Sequence, residues 1–535
     1  MAPLAELPRH LAAVVLLLAG CQIATPASAP PSPGSAPPRG GSFTRAVPSD
    51  AQTTNPLLAA DSYSRGYAEL HYNAPLVRLH PETLEWDTTY GAAEWFALSP
   101  DGRQVTYRLR PGLQWSDGTP LTSADYLFTF EKMLDPAVDY PYRANLAFIA
   151  GLQAPDERTL IFTLKEPFCP AIEYTNLNPI PKHIFEREDL MSTRLNQHPP
   201  VGSGPFLLKE WVRDDHATFV ANERFYLGRP RLDTYTIRIV RNSQVAYSLL
   251  KSGEVDQASI RPEDWAEAQT LPTLRTIRYY PAGSSWVYIG FNLRSLLLSD
   301  LRVRQAIAHA IPRQQLIERV RLGHARLLNS IYGPSSWAHD PSVPALEYDP
   351  ERARQLLEEA GWRLSEGSAV RRKDGRELKL RLFYNVSNRD TEQVAVITQA
   401  ALRPVGIAVE VIGEEFSALL NRTNRTRDLE LWVNVWISPI EPHSRYNAWK
   451  SDDNATGFAD PVVDALFWQA ASVPGCRNAD RAPLYHAIQR RIAAQVPYVF
   501  LWEIEVLYGV NRRLVTNPLT PLGFFYREWE WYWQP

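Results

Sequence analysis

Short stretches of strict apolar/polar alternation recur along the chain. Val105, Tyr107 and Leu109 alternate with polar neighbours, as do Leu160, Phe162 and Leu164, and then Tyr235, Ile237 and Ile239. A period of two predicts half-buried strands at these places. Between them the period becomes helical. Thr122 is placed to N-cap a helix with Asp125 three residues on, which puts Leu127, Phe130 and Leu134 on one face. The sharpest helical pattern is YDPERARQLLEEAGW (348–362). There Asp349 is the N-cap and Pro350 suits the first position. Ala353, Leu356, Leu357 and Ala360 make the apolar face, and Gly361 ends it. Strands and helices interleave throughout, so the fold class is mixed α/β, and no internal repeat of roughly 20–50 residues is present.

The first pattern to break this rhythm is the apolar run LAAVVLLLA at 11–19. It is shorter than the roughly 20 residues a membrane span needs but suits the core of a signal peptide. It closes as Leu18-Ala19-Gly20-Cys21, which resembles the bacterial lipobox. Residues 1–20 are therefore expected to be a removable lipoprotein leader and Cys21 the lipidated residue. From 21 to 42 the chain is Pro-, Ser-, Ala- and Gly-rich without periodicity. Such a sequence cannot bury a core and reads as an extended tether reaching on the order of 60 Å.

Composition narrows the function classes. The length of 535 residues suggests three or four structural units. A net charge of −3 leaves no basic surplus for nucleic acid, so no such partner is expected. The 45% hydrophobic and 21% charged residues exclude a mostly disordered chain and a multi-span membrane protein. Part of the excess of proline, 44 residues, belongs to the tether, while the 16 tryptophans need another explanation. The chain contains no H-E-x-x-H, no G-x-S-x-G and no Gly-rich loop ending in Lys-Ser/Thr. His71, His183, His309, His443 and His486 are scattered singly, without metal-site spacing. No enzyme, cofactor or metal is expected, although paired carboxylates assembled in space would leave a hydrolase open. Cys169 and Cys476, distant in sequence, are compatible either with a disulfide in an exported protein or with two buried thiols.

Several blocks together resemble the extracellular solute-binding proteins of family 5, the oligopeptide, dipeptide and nickel-type receptors of ABC importers. They are SPDGRQVTYRLRPGLQWSDGTPLTSADYLFTFEKMLDP (99–136), VGSGPFLLKEWV (201–212), NERFYLGRPRLDTYTIRIV (222–240), LLKSGEVDQASI (249–260), FNLRSLLLSDLRVRQAIAHAI (291–311), YDPERARQLLEEAGW (348–362) and GFADPVVDALFWQA (457–470). The resemblance runs from about Asn55 to Asn517. It implies a periplasmic-binding-protein-like fold of class II, with two lobes around a hinge and an additional inserted domain. Carried over, domain I comprises 43–80, 200–282 and 505–535, domain II comprises 81–199, and domain III, the second lobe, comprises 283–504. The implied protein is a monomeric, extracytoplasmic lipoprotein, held to the membrane by its lipid anchor only. It would capture a peptide or similar small solute and deliver it to ABC permease subunits driven by cytoplasmic ATPases.

In peptide-binding members an aspartate after a tryptophan of the second lobe receives the peptide's α-ammonium group. The matching stretch here is LWVNVWISPIEPHSRYNAW (431–449). Trp436 matches the tryptophan, but Ser438 stands where the aspartate is expected, so Glu441 is the candidate to supply the charge, or else the ligand lacks an ammonium group. Trp286, Tyr288, Trp432, Phe500 and Trp502 are further candidates for aromatic walls of the crevice. The Ser438 departure and the tryptophan count keep an oligosaccharide ligand open, and a ligand sensor would share the same receptor fold. A second departure, Asn73-Ala74-Pro75-Leu76, predicts an altered strand end, because Pro75 lacks a backbone donor.

Overall fold

The structure, a computed structural model, describes residues 37–535. The leader, Cys21 and most of the tether lie outside the described residues.

The alternating segments are strands. Gln104–Leu109 and Thr159–Leu164 form the middle of a four-stranded antiparallel sheet, flanked by Ala93–Leu98 and Ile149–Asp156. Their alternate residues Val105, Tyr107, Leu160 and Phe162 are fully buried. Thr234–Ile239 belongs to a seven-stranded mixed sheet. Its order is Leu274–Tyr279, Val506–Asn511, Gln257–Ser259, Ser42–Val47, Thr234–Ile239, His216–Ala221 and Phe206–Val212. A six-stranded mixed sheet runs Ala325–Leu327, Tyr498–Ile504, Ser285–Phe291, Leu431–Ile437, Lys379–Asn385 and Ala408–Glu414. The four-stranded sheet is inserted between two strands of the seven-stranded one, Ser42–Val47 and Phe206–Val212.

Two short crossings join the two larger sheets. Leu274–Tyr279 passes through 280–284 into Ser285–Phe291, and Tyr498–Ile504 passes across Glu505 into Val506–Asn511. Ser284 Oγ and Arg326 both donate to the buried carboxylate of Glu503 beside these crossings. His324 Nδ1 lies 2.9 Å from Glu505.

The helices follow their caps. Asp349 accepts from Arg352 N at 2.9 Å and starts Pro350–Glu359, which buries Ala353, Leu356 and Leu357. Gly361 ends this stretch at φ +87°. Thr122 and Asp125 form a reciprocal capping box at the start of Ser123–Leu134. The apolar face differs from the one expected: Tyr126, Phe130 and Met133 are buried, whereas Leu134 is 45% exposed. The aromatic side chains set this rotation. Tyr126 donates to Ala74 O at 2.7 Å, and Phe130 packs edge-on against Phe162 of the sheet.

The motif VGSGPF has a steric cause. A Cβ on Gly204 would lie 2.1 Å from the carbonyl oxygen of Leu70, and one on Gly202 2.4 Å from that of His71. Only glycine allows this loop to lie on the end of helix Ser62–His71. The buried His71 accepts from Leu208 N at Nδ1 (3.0 Å) and faces Val201 O with Nε2 (3.0 Å), which fixes the neutral Nε2–H tautomer. Burial holds its pKa down at about 4. Just beyond, 72–77 runs without regular structure before the short strand Arg78–Leu79. The amides of Ala74 and Val77 donate to Asn178 and Asn176 side chains at 2.9 Å each.

Because the Gly204 clash is with backbone rather than with a mobile side chain, Gly204→Ala is expected to destabilise the protein by about 2–3 kcal/mol. The check is a lower urea midpoint at unchanged slope.

Candidate functional site

The centre of the six-stranded sheet is the strand Ser285–Phe291, paired antiparallel with Leu431–Ile437 on one side and Tyr498–Ile504 on the other. Register decides which side chains share a face. Trp286 faces Trp436 across the ladder, Tyr288 faces Asn434, and Gly290 faces Trp432. A Cβ on Gly290 would lie 2.2 Å from the Trp432 ring, so the glycine lets the indole lie across the strand. Trp286, Tyr288, Trp432 and Phe500 thereby meet in one buried aromatic cluster with Tyr498. Trp502 does not join them. The ladder shifts register between Val287 and Tyr288, which turns Trp502 to the opposite face, where it is fully buried beside Val287 and Leu501.

Ser438 and Trp436 end the same face. Trp286 Nε1 donates to Ser438 Oγ at 2.7 Å, so this hydroxyl satisfies a buried indole. Trp436 is half-buried under the Arg445 guanidinium, which sits 4.6 Å from its ring centroid. Of the eight residues singled out in the sequence, Glu441 alone reaches the crevice cavities described next.

A cavity of about 570 Å³ lies between the region of the four-stranded sheet and that of the six-stranded one. One wall carries Trp86, Phe96 and Glu173, and the other carries Trp337, Pro439, Glu441 and Arg481. A second cavity of about 420 Å³ continues past Tyr140, Tyr142, Asn176 and Asn178 on one side and Ser444 on the other. Glu173 and Pro439 line both, so they stand at the junction. The two sides touch there: Tyr174 Oη lies 3.0 Å from Ser444 Oγ, and Phe168 packs edge-on against His443.

The electrostatics of this junction are unequal. Arg481, almost wholly buried, donates from Nη1 and Nη2 to the two oxygens of Glu441 at 2.8 and 2.6 Å, and from Nε to Ala470 O at 2.8 Å. Glu441 also accepts from His443 N at 2.9 Å. Among the described residues Glu173 makes no ion pair, and the Arg481 charge, already paired to Glu441, only partly offsets the rise of its pKa. Among the described residues the one hydrogen-bond donor to its carboxylate is Ser444 Oγ, at 3.3 Å. Burial, with the Glu441 charge next in weight, pushes the Glu173 carboxyl up to about 8. The buried His443 imidazole is held down at about 4, chiefly by burial.

Sequence reading missed Glu173, Arg481, Ser444 and Trp337. Arg481 is 40 residues from Glu441 in the chain, and no local motif joins them. The two cysteines, left open above, form a disulfide with Cα atoms 5.1 Å apart. Among the described residues no group of three or more His, Cys, Asp or Glu could hold a metal ion, and no helix is long and apolar enough to cross a membrane.

Solved structures share this architecture. That of the oligopeptide-binding protein AppA from Bacillus subtilis in complex with a nonapeptide superposes with a TM-score of 0.76 at 25% identity, covering 94% of this chain and 100% of that one. The ABC transporter substrate-binding protein CtaP from Listeria monocytogenes gives 0.81 at 24% identity over 92% and 99%. Fold and crevice thus define a solute-binding protein. The profile described as "Bacterial extracellular solute-binding proteins, family 5 Middle" matches residues 87–457, and the chain belongs to that family. AppA of Bacillus subtilis (strain 168) is 28% identical over 416 residues, 75% of each protein. The nickel-binding periplasmic protein of Escherichia coli (strain K12) is 24% identical over 496 residues, 90% of this chain and 92% of its own. Proteins of this family bind solutes for transport and are not enzymes.

Removing the charge of Glu441 strands a buried guanidinium, so Glu441→Gln is expected to cost about 3–5 kcal/mol of stability. The double variant Glu441→Gln/Arg481→Met is expected to recover most of that loss in urea unfolding.

Proposed function

We propose that this protein is the substrate-binding component of an ABC importer, held outside the cytoplasmic membrane by a lipid on Cys21 and acting as a monomer. Domain I (43–80, 200–282, 505–535) and domain II (81–199) form one lobe and domain III (283–504) the other. The crossings at 280–284 and Glu505 serve as the hinge between them. The solute is captured in the crevice and passed to the permease.

The observation that carries the ligand reading is the carboxylate of Glu173, which lines both cavities and makes no ion pair among the described residues. A charge in such a place is costly unless a partner arrives. A peptide or similar solute with a free amino group supplies that partner. Glu173 thus takes the part that Ser438, committed to Trp286, cannot take. Arg481 leaves Glu441 no remaining charge to offer. Trp86, Phe96 and Trp337 give apolar area for side chains and also favour an oligosaccharide as second reading.

Calorimetry with short peptides, free or acetylated at the amino terminus, separates the readings. Free peptides are expected to bind tighter, and Glu173→Gln to weaken them roughly tenfold or more while leaving acetylated ones unchanged. Equal affinity of both forms, or tighter binding of oligosaccharides, contradicts the amine reading. The pH dependence follows from the same carboxyl. Below about 8 the empty site holds its proton, and a cationic ligand must displace it. Affinity is therefore expected to rise from pH 5 to pH 7 with proton release on binding, and this rise is expected to vanish in Glu173→Gln.

A further inference from the structure

The Cys169–Cys476 disulfide joins two parts of the molecule that the rest of the chain connects only through the sheet crossings and lateral contacts. Cys169 lies between the strand Thr159–Leu164 of the four-stranded sheet and the helix Ala171–Thr175. Cys476 lies in the turn between the helices Pro461–Ala471 and Asn478–Gln495, which pack beside the six-stranded sheet's aromatic core. The two are 307 residues apart in the chain.

Three features show that this contact is built into the wall of the crevice. Both cysteines line the cavity of about 570 Å³, and both also line a smaller one of about 140 Å³, so the bridge stands between them. Cys169 N donates to Ala471 O at 2.5 Å, which docks the two backbones beside the bridge. Gly475 and Cys476 are both left-handed, at φ +77° and +54°. For a non-glycine residue that conformation is disfavoured and needs support from its surroundings. The turn presents Cys476 to Cys169.

We infer that the Cys169–Cys476 disulfide is a covalent latch across the solute crevice, so that the oxidised receptor retains its solute and reduction allows release. This rests on the two-lobe reading proposed above, because a tie between lobes matters only if they separate. The chemistry is thiol–disulfide exchange with an extracytoplasmic dithiol. Cys169 is 5% exposed, whereas Cys476 is half-buried, so the dithiol meets Cys476 first. The dithiol's first thiolate attacks Cys476 Sγ, forming a mixed disulfide as the Cys169–Cys476 bond breaks and Cys169 leaves as a thiolate. The dithiol's second thiolate then attacks its own sulfur in that mixed disulfide and expels Cys476 as a thiolate. Two electrons pass to the protein, which takes up two protons, and the dithiol becomes a disulfide.

Two measurements test the latch on the full mature chain: oxidised, reduced with a phosphine, and as Cys169→Ser/Cys476→Ser. The first is the dissociation rate of a fluorescent peptide, expected to rise at least tenfold on reduction and equally in the double variant. The second needs no ligand: hydrogen exchange of the non-proline amides within 168–175 and 471–478 is expected to accelerate at least tenfold on reduction, while that of the strand Ser285–Phe291 stays unchanged. If no peptide binds but the amides respond, the bridge ties the two walls and the peptide reading falls, whereas a bound peptide that leaves equally fast from oxidised and reduced protein overturns the latch. Unchanged exchange and unchanged dissociation, with both thiols titrated as free, overturn the latch. Reduced wild-type protein keeps the test decisive should the double variant fail to fold.

Discussion

One guanidinium can fully satisfy one carboxylate, and in this crevice Arg481 gives both Nη atoms to Glu441. Everything distinctive about the site follows from that allocation. Glu441 is fixed as part of the wall, its remaining capacity spent on the amide of His443. Glu173, close enough to sense the Glu441 charge, is left to hold its proton. A half-buried carboxyl with a raised pKa holds its proton when alone and, on the proposed reading, ionises when the solute's cation lies against it.

The aromatic face of the central strand has a complementary role. Trp286, Tyr288, Trp432, Tyr498 and Phe500 pack on one another behind the crevice, not along it. The Trp286–Ser438 hydrogen bond then ties this cluster to the start of the loop that carries Pro439, Glu441 and Ser444. A serine at 438 is therefore a packing solution, closing the indole's hydrogen bond, and the carboxylate proposed to meet the solute's amine, Glu173, stands on the opposite wall. The disulfide adds a third tie to the two sheet crossings at the same crevice.

Much of the fold was legible because its signals are local. Alternation at 104–109 and 159–164, the caps at Thr122 and Asp349, and the glycines of VGSGPF each act within a few residues or on an adjacent backbone. Legibility failed where tertiary packing chose among local options. The helix after Thr122 turned its aromatic rather than its leucine face inward, and one register shift sent Trp502 away from Phe500. The site itself was the least legible part. Glu173, Glu441 and Arg481 come from three distant segments, and nothing in the spacing of acids and arginines tells which pair will close on each other.

The most direct test of the central claim is a crystal structure of the protein with the solute it carries when purified from its own cells. A nitrogen cation of that solute within about 3.2 Å of the Glu173 carboxylate, in charge-assisted hydrogen-bond range, is the result predicted, with Glu441 still paired to Arg481. A solute lying in the crevice with its cationic group elsewhere, or with Arg481 drawn from Glu441 to an acidic group of the solute, would contradict the account.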